Sequence, residues 1–189
     1  SVAEKNYKGL VIGNEGDNFS AGANLGMLFM LAGNREFDEI NLSVQAFQNT
    51  MMRARYSSIP VVVATSGLTL GGGTELSMHA DQVRAHTETY MGLVEFGVGI
   101  IPSGGGTKEM TLRTSDMYKK GDPELNILME NFMTIATAKV ATSSKEAAAM
   151  GLLKHTDKHT LNRSSLLSEA KNDVLNLYNE GYTQKKQRQ

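Results

Sequence analysis

The sequence has 189 residues, 40% of them hydrophobic, with 19 glycines, which fits one globular domain able to bury roughly two-thirds of its unfolded surface. Nineteen Lys and Arg against 20 Asp and Glu leave a net charge of −1, which excludes the basic footprint of a nucleic-acid binder or a membrane-surface protein. The absence of cysteine excludes a disulfide framework, a zinc ribbon and a thiol nucleophile, and the longest strictly apolar run, Met27–Ala32, falls far short of the roughly 20 residues of a membrane span.

A cytoplasmic location is therefore expected. The basic residues Lys171, Lys185, Lys186 and Arg188 are read as a solvated tail rather than a binding patch. The first apolar run begins within ten residues and the last segment, Gln184–Gln189, is polar throughout, so a chain cut at both ends is expected. No repeat or low-complexity linker divides it, and residues 1–189 read as a single domain.

In chain order, Leu10–Ile12 is a short apolar run bounded by Gly9 and Gly13-Asn14, the pattern of a buried strand ending in a turn. Ile40, Val44, Phe47, Met51 and Ala54 recur every three or four residues and predict an amphipathic helix packed on the sheet. Val61–Ala64 reads as a second strand, launched by Pro60 at an edge position and closed by Ser66-Gly67. Val83–Ala85 is expected as a third strand and Tyr90–Met91 as a short fourth. Leu125, Leu128, Phe132 and Ile135 predict a later helix. Ser143-Ser-Lys-Glu146 is a capping box that opens a short helix, with Gly151 as its stop. Leu167, Ala170, Val174 and Leu177 predict a C-terminal helix over about 164–181. Alternating strands and helices argue for an α/β fold with a mainly parallel sheet packed by helices.

Three glycine-rich stretches stand where chemistry would sit: Phe19–Leu25, Leu70–Leu76 and Gly92–Thr107. In the second, Gly71–Gly73 lack Cβ atoms, so a ligand can approach their amides closely. With Thr74 onward helical, those amides lie at a helix N-terminus, where unpaired N–H groups and the helix dipole favour an anion or a developing oxyanion. Glu75 then projects from the first turn near the same opening. The plainer reading is a tight strand-to-helix turn with a favourable first-turn acid, and this stretch alone does not separate the two.

Nucleotide motifs fail on inspection. Thr74-Glu75 and Thr107-Lys108 stand where a P-loop needs Lys-Ser/Thr, and Pro102 stands where a dinucleotide fingerprint needs its third glycine. His79-x-Asp81 is the best candidate for metal ligands, but it is read as structural. Met27, Met30, Met51 and Met52 stand at helical spacing, where methionines more often belong to a core than to a ligand site.

Together these stretches resemble the enoyl-CoA hydratase/isomerase (crotonase) family. Phe19-Ser-Ala-Gly-Ala-Asn-Leu25 is similar to that family's Phe-Ser-Ala-Gly-Ala-Asp-Leu segment. Ile59–Leu76 is similar to its strand, turn and glutamate-bearing helix, and Leu93–Thr107 to its second glutamate block. Thr142–Leu153 is similar to its helix-to-Gly-Leu-Val segment. Order and spacing agree from about residue 8 to 155, and the details are most similar to the hydratase module of bacterial bifunctional 3-hydroxyacyl-CoA dehydrogenase proteins.

The resemblance implies a crotonase-like ββα spiral, truncated at both ends, and an enoyl-CoA hydratase of fatty-acid β-oxidation. By position, it implies Glu75 and Glu95 as the acids that hold and activate water. It implies Ala23 and Gly72 as the amides of the oxyanion hole, and Ala21, Asn24, Leu25 and Gly71 as contacts to coenzyme A. The implied substrate is a coenzyme A thioester, with no metal and no cofactor in this chain, and NAD only on a domain outside it. The implied partners are other copies of the chain in a trimer-type oligomer, or a dehydrogenase domain and a thiolase. Asn24, Val94 and Ser103 depart from the family's usual Asp, Pro and Gly but leave the implied donors and acids in place. An enoyl-CoA double-bond isomerase with Glu95 as its single acid–base, or a non-catalytic acyl-CoA-binding module, are the competing readings.

Overall fold

The computed structural model describes residues 2–187. After a short helix α1 (Val2–Asn6), strand β1 (Leu10–Ile12) leads through a long loop to α2 (Leu25–Gly33) and α3 (Phe37–Arg55). Strand β2 (Val61–Leu70), helix α4 (Gly72–His79) and strand β3 (Gln82–Gly92) form the centre of the chain. They are followed by α5 (Gly106–Met117), α6 (Glu124–Ala136), α7 (Ser144–Ala149), β4 (Lys158–Thr160) and α8 (Leu166–Asn179). The strands form one parallel sheet in sequence order, β1-β2-β3-β4.

The sheet separates two cores. Val62 and Ala64 meet Leu166, Ala170 and Val174 of α8. On the opposite face Val83, Ala85, Met91 and Leu93 pack with Met78, Met110, Ala147 and Leu152. Asp173 on α8, 2% exposed, fastens its face through Arg84 of β3: Arg84 Nε donates to Oδ2 at 2.7 Å and Nη2 to Oδ1 at 2.8 Å, while Lys158 of β4 donates to Oδ1 at 2.7 Å.

The expected third and fourth strands are one continuous strand. Ser66 alone on β2 stands opposite His86, Thr87 and Glu88 on β3, so a bulge absorbs the extra residues and bends the ladder without ending it. Thr89 Oγ1 closes the bulge on the His86 carbonyl at 2.7 Å. Strand β2 is interior, not an edge. Pro60 stands one residue ahead of its ladder, where the missing N–H costs no bond, and its carbonyl accepts Leu10 N at 2.9 Å.

Strand β4 was not expected, because Lys-His-Thr has no apolar run to mark it. The capping box forms as read: Ser143 Oγ accepts Glu146 N at 3.2 Å, and Glu146 Oε2 accepts Thr142 N at 2.8 Å. The C-terminal helix is shorter than 164–181, because its first turn, Arg163–Ser165, is 3-10 and Gly181 stands at φ +86 beyond its end. Its inward face begins at Leu166, not Leu167.

On α6 the periodic residues Leu125, Leu128 and Phe132 lie exposed, while Ile135 packs on the core. Met27 and Met30 are exposed, Met52 is half-buried and Met51 is core. The tail is tied back instead of solvated throughout: Tyr182 Oη donates to Ser57 O at 3.0 Å and Lys185 pairs with Asp81 at 2.8 Å. Arg188 lies outside the described residues. Among the described residues, no helix is long and apolar enough to cross a membrane.

Candidate active site

The bend in the long strands directs the ends of β2 and β3 toward one opening. Gly71, at φ +54, turns the chain from β2 into α4, a conformation that side chains with a Cβ rarely adopt. Its N–H is taken by Gly92 O at 2.9 Å, so Gly71 fixes the turn and has no amide to offer a ligand. Gly72 is the first residue of α4, where an amide has no partner inside the helix.

The Phe19–Leu25 loop runs alongside. Phe19 N donates to Ser66 O at 2.8 Å, Ser20 N to Leu68 O at 2.9 Å, and Leu70 N to Ser20 O at 2.9 Å. Ser20 also packs on Gly73, where an added Cβ would stand 2.6 Å from the serine Cβ. A Cβ on Gly71 would lie 3.8 Å from Gly22 Cα, so the segment bearing Ala23 and the head of α4 share one wall. Ala21 and Ala23 are exposed there. Asn24 is committed to capping α2, its Oδ1 accepting Met27 N at 3.2 Å, and Leu25, half-buried, begins that helix.

Both glutamates face this wall. Glu75, in the first turn of α4, is 2% exposed, and its Oε1 accepts Gly106 N at 2.8 Å. A Cβ on Gly104 would come within 2.5 Å of Glu75 Oε2, so the third glycine stretch is bare where it wraps the carboxylate. Burial pushes the Glu75 carboxyl above its ordinary range, against the pull of the Gly106, Gly104 and Gly105 amides. Glu95 opens the 3-10 turn Glu95–Val98 directly after β3, and its Oε1 stands 3.3 Å from the position of a Cβ on Gly71. Its Oε2 is buried with no hydrogen-bond partner among the described residues. Burial pushes Glu95 up to about 7; its own backbone N–H opposes the rise and the nearby Glu75 charge adds to it. With the Glu75 charge close enough to help raise Glu95, the pair can hold one proton and lack another near neutral pH.

Sequence reasoning did not assign a role here to Phe47, whose ring tip fills the space beside Gly72 (2.7 Å from an added Cβ) and also meets Gly104. Gln48, the next residue on α3, donates to Ser103 O at 2.8 Å and holds the third glycine stretch in place. Phe47 was legible only as one apolar position on a helix face. Beyond Glu95, residues Phe96, Ile101, Pro102, Met110, Leu128 and Phe132 line an apolar cleft of about 250 Å³ between α5 and α6. His79 and Asp81 do not converge on a common point for a metal. His79 Nδ1 bonds Glu75 O at 2.6 Å and Asp81 Oδ2 accepts Val61 N at 2.9 Å, and among the described residues no three His, Asp or Glu side chains form a ligand set.

Comparison with known proteins gives this geometry a family. The chain is 48% identical over 179 residues to a Bacillus subtilis (strain 168) protein named "Probable 3-hydroxyacyl-CoA dehydrogenase", covering 95% of this chain and 22% of that relative. It is 32% identical over 154 residues to "Fatty acid oxidation complex subunit alpha" of Shewanella loihica (strain ATCC BAA-1088 / PV-4), covering 80% of this chain and 20% of that one. The chain thus spans about a fifth of the length of these relatives. The crystal structure of an enoyl-CoA hydratase from Bacillus anthracis superposes with a TM-score of 0.69 at 26% identity, over 91% of this chain and 59% of that one. The family model described as Enoyl-CoA hydratase/isomerase matches residues 2–155, and the chain therefore belongs to that family and carries its crotonase fold.

Proposed function

We propose that the chain hydrates 2-enoyl-CoA thioesters, as the hydratase module of a protein that also carries, or works beside, a 3-hydroxyacyl-CoA dehydrogenase. The observation that carries this reading is the pair Glu75, buried, and Glu95, half-buried with its Oε2 enclosed, two carboxyls raised by desolvation at the open head of α4. A double-bond shift needs one acid–base; adding water needs a group to take a proton and a group to give one.

In this mechanism the amides of Ala23 and Gly72 hold the thioester oxygen, and their hydrogen bonds strengthen as that oxygen gains enolate charge. Ala21 and Leu25 border the coenzyme A moiety, while Asn24 and Gly71 shape its path, the one by capping α2 and the other by its turn. Glu75, supported by the Gly106 amide, is the ionised member and takes a proton from water as the water oxygen bonds to C3. Glu95, which keeps its proton to about pH 7, delivers it to C2. One water is added across the double bond, Glu75 ends protonated and Glu95 ionised, and exchange with solvent restores the pair. The substrate brings the coenzyme A, and no other cofactor takes part; NAD belongs to the dehydrogenase alone.

The test is the loss of the conjugated-thioester absorbance with crotonyl-CoA. Glu75→Gln and Glu95→Gln are each expected to lower kcat by about 10²–10⁴-fold with thioester binding retained. The wild-type rate is expected to fall as pH rises through about 7, where Glu95 loses the proton that C2 needs. Binding without hydration, together with conversion of a 3-enoyl thioester, would replace this reading with isomerisation; binding with neither would leave an acyl-CoA-binding module.

A further inference from the structure

His79 is fully buried one turn after Glu75 on α4, and the hydration mechanism makes no use of it. Its Nδ1 lies 2.6 Å from Glu75 O; a carbonyl only accepts, so Nδ1 carries the hydrogen. The other nitrogen, Nε2, faces Glu109 Oε1 at 3.7 Å, and neither atom has a hydrogen-bond partner among the described residues. Glu109, in the first turn of α5, is anchored by Arg55 of α3, whose Nη1 stands 2.6 Å from Oε2, and its own N–H donates to Gly105 O at 2.9 Å.

Gly105 itself lies against the imidazole. A Cβ there would stand 3.0 Å from both Cε1 and Nε2 of His79, and the backbone takes φ +110. One ring therefore touches the carbonyl of Glu75 and the middle of the Gly104–Gly106 segment whose amide holds the Glu75 carboxylate. An apolar side chain would fill the same space. A buried imidazole carries a polar cost that only directed contacts offset.

We propose that His79 is a positioning residue for Glu75: set between the Glu75 carbonyl and Gly105, and backed by the Glu109–Arg55 ion pair, it keeps the Gly106 amide on the Glu75 carboxylate. The kinetic consequence rests on the hydration reading; the placement of the Gly106 amide does not. The charged groups around the ring are Glu75, Glu109, Lys108 and Arg55. Burial draws His79 below its ordinary range, the Glu75 carbonyl and Glu109 oppose this, and Lys108 and Arg55 reinforce it, so the neutral Nδ1–H form is the working one at neutral pH. Protonation in acid adds an N–H toward Glu109 and leaves the Nδ1 bond in place.

Three variants separate positioning from packing. His79→Leu fills the volume without a donor, His79→Asn restores a donor near the Nδ1 position, and His79→Gln places its donor farther out. The leucine and glutamine variants are expected to lose roughly 10–100-fold in kcat with KM little changed, and the asparagine variant to recover most of that loss. In substrate-free protein, the Gly106 amide proton resonance is expected to move upfield in the leucine and glutamine variants and to return in the asparagine variant. A folded His79→Leu protein with wild-type kcat and an unmoved Gly106 resonance would overturn the proposal. If the leucine variant does not fold, equal rates and equal Gly106 shifts for asparagine and glutamine would overturn it. If the wild type hydrates nothing, the functional reading fails, while the Gly106 resonance still decides the positioning role.

Discussion

On the α8 face of the sheet, Asp173 is buried against the Arg84 guanidinium, with Lys158 as a second cation. On the α4 face of the same two central strands, Glu75 is buried beside the half-buried Glu95, whose enclosed Oε2 has no partner among the described residues. Burial would raise the Asp173 carboxyl, yet the hydrogen bonds and charges of Arg84 and Lys158 hold it below its ordinary range. Burial raises Glu75 and Glu95 alike, and no cation offsets the rise at either acid. The same acidic chemistry thus acts as a clasp where the surroundings complement it and as a proton store where they do not. Stability and reactivity are divided between the two faces of one sheet.

The most severe way to break the clasp is Asp173→Ala. It leaves Arg84, which is mostly buried, without its bidentate partner and with Glu169 Oε2 at 3.2 Å as its remaining acid, and is expected to cost about 3 kcal/mol in urea denaturation, while the hydration rate per folded molecule stays at the wild-type level. An equal loss of rate and stability would mean that the two faces are coupled and that the comparison fails.

The opposite sign is expected on the other face. In the unfolded chain Glu95 ionises near 4.5, and in the folded protein near 7. Its contribution to stability is therefore complete below pH 4.5 and is lost as pH rises through about 7. Glu95→Gln removes that loss. The variant is expected to match the wild type at pH 4.5 and to be more stable at pH 8 by up to about 3 kcal/mol, although it is nearly inactive. Denaturant midpoints across this range check the sign. A Glu95→Gln protein that is no more stable at pH 8 would place the Glu95 charge in solvent, and the proton store would vanish with it.

Much of this division is legible in the sequence, and the remainder is hidden for identifiable reasons. The Val61–Ala64 run and the glycines after Leu70 announce a strand delivering Glu75 to a helix start, because side-chain period and missing Cβ atoms are local properties. The fusion of the third and fourth expected strands is not local: it depends on three residues of β3 facing one of β2. The polar strand Lys158–Thr160 carries no apolar signal, and it is set by pairing with Arg84–His86. Phe47 and Gln48 read as ordinary helix positions, and only the packing of α3 against the glycine stretches brings them to the site. The Asp173–Arg84 clasp joins residues far apart in sequence, and α8 reads as a helix with one acid on its inner face until β3 supplies the cation.

The finest test of the comparison is Lys158→Met, because Asp173 has two cations of unequal standing. Arg84 engages both carboxylate oxygens, and its side chain is mostly buried. Lys158 shares Oδ1 from a side chain 44% exposed, where water and salt screen its charge. Removing Lys158 leaves Asp173 doubly hydrogen-bonded, so the expected loss is about 1 kcal/mol or less, and it should shrink further as salt is raised toward 1 M. The loss from Asp173→Ala should respond less to salt, since Arg84, left with Glu169 alone, lies mostly out of water. If both losses fell equally with salt, the clasp would be a surface ion pair, and the contrast between a complemented and an uncomplemented buried acid would have no basis on this face.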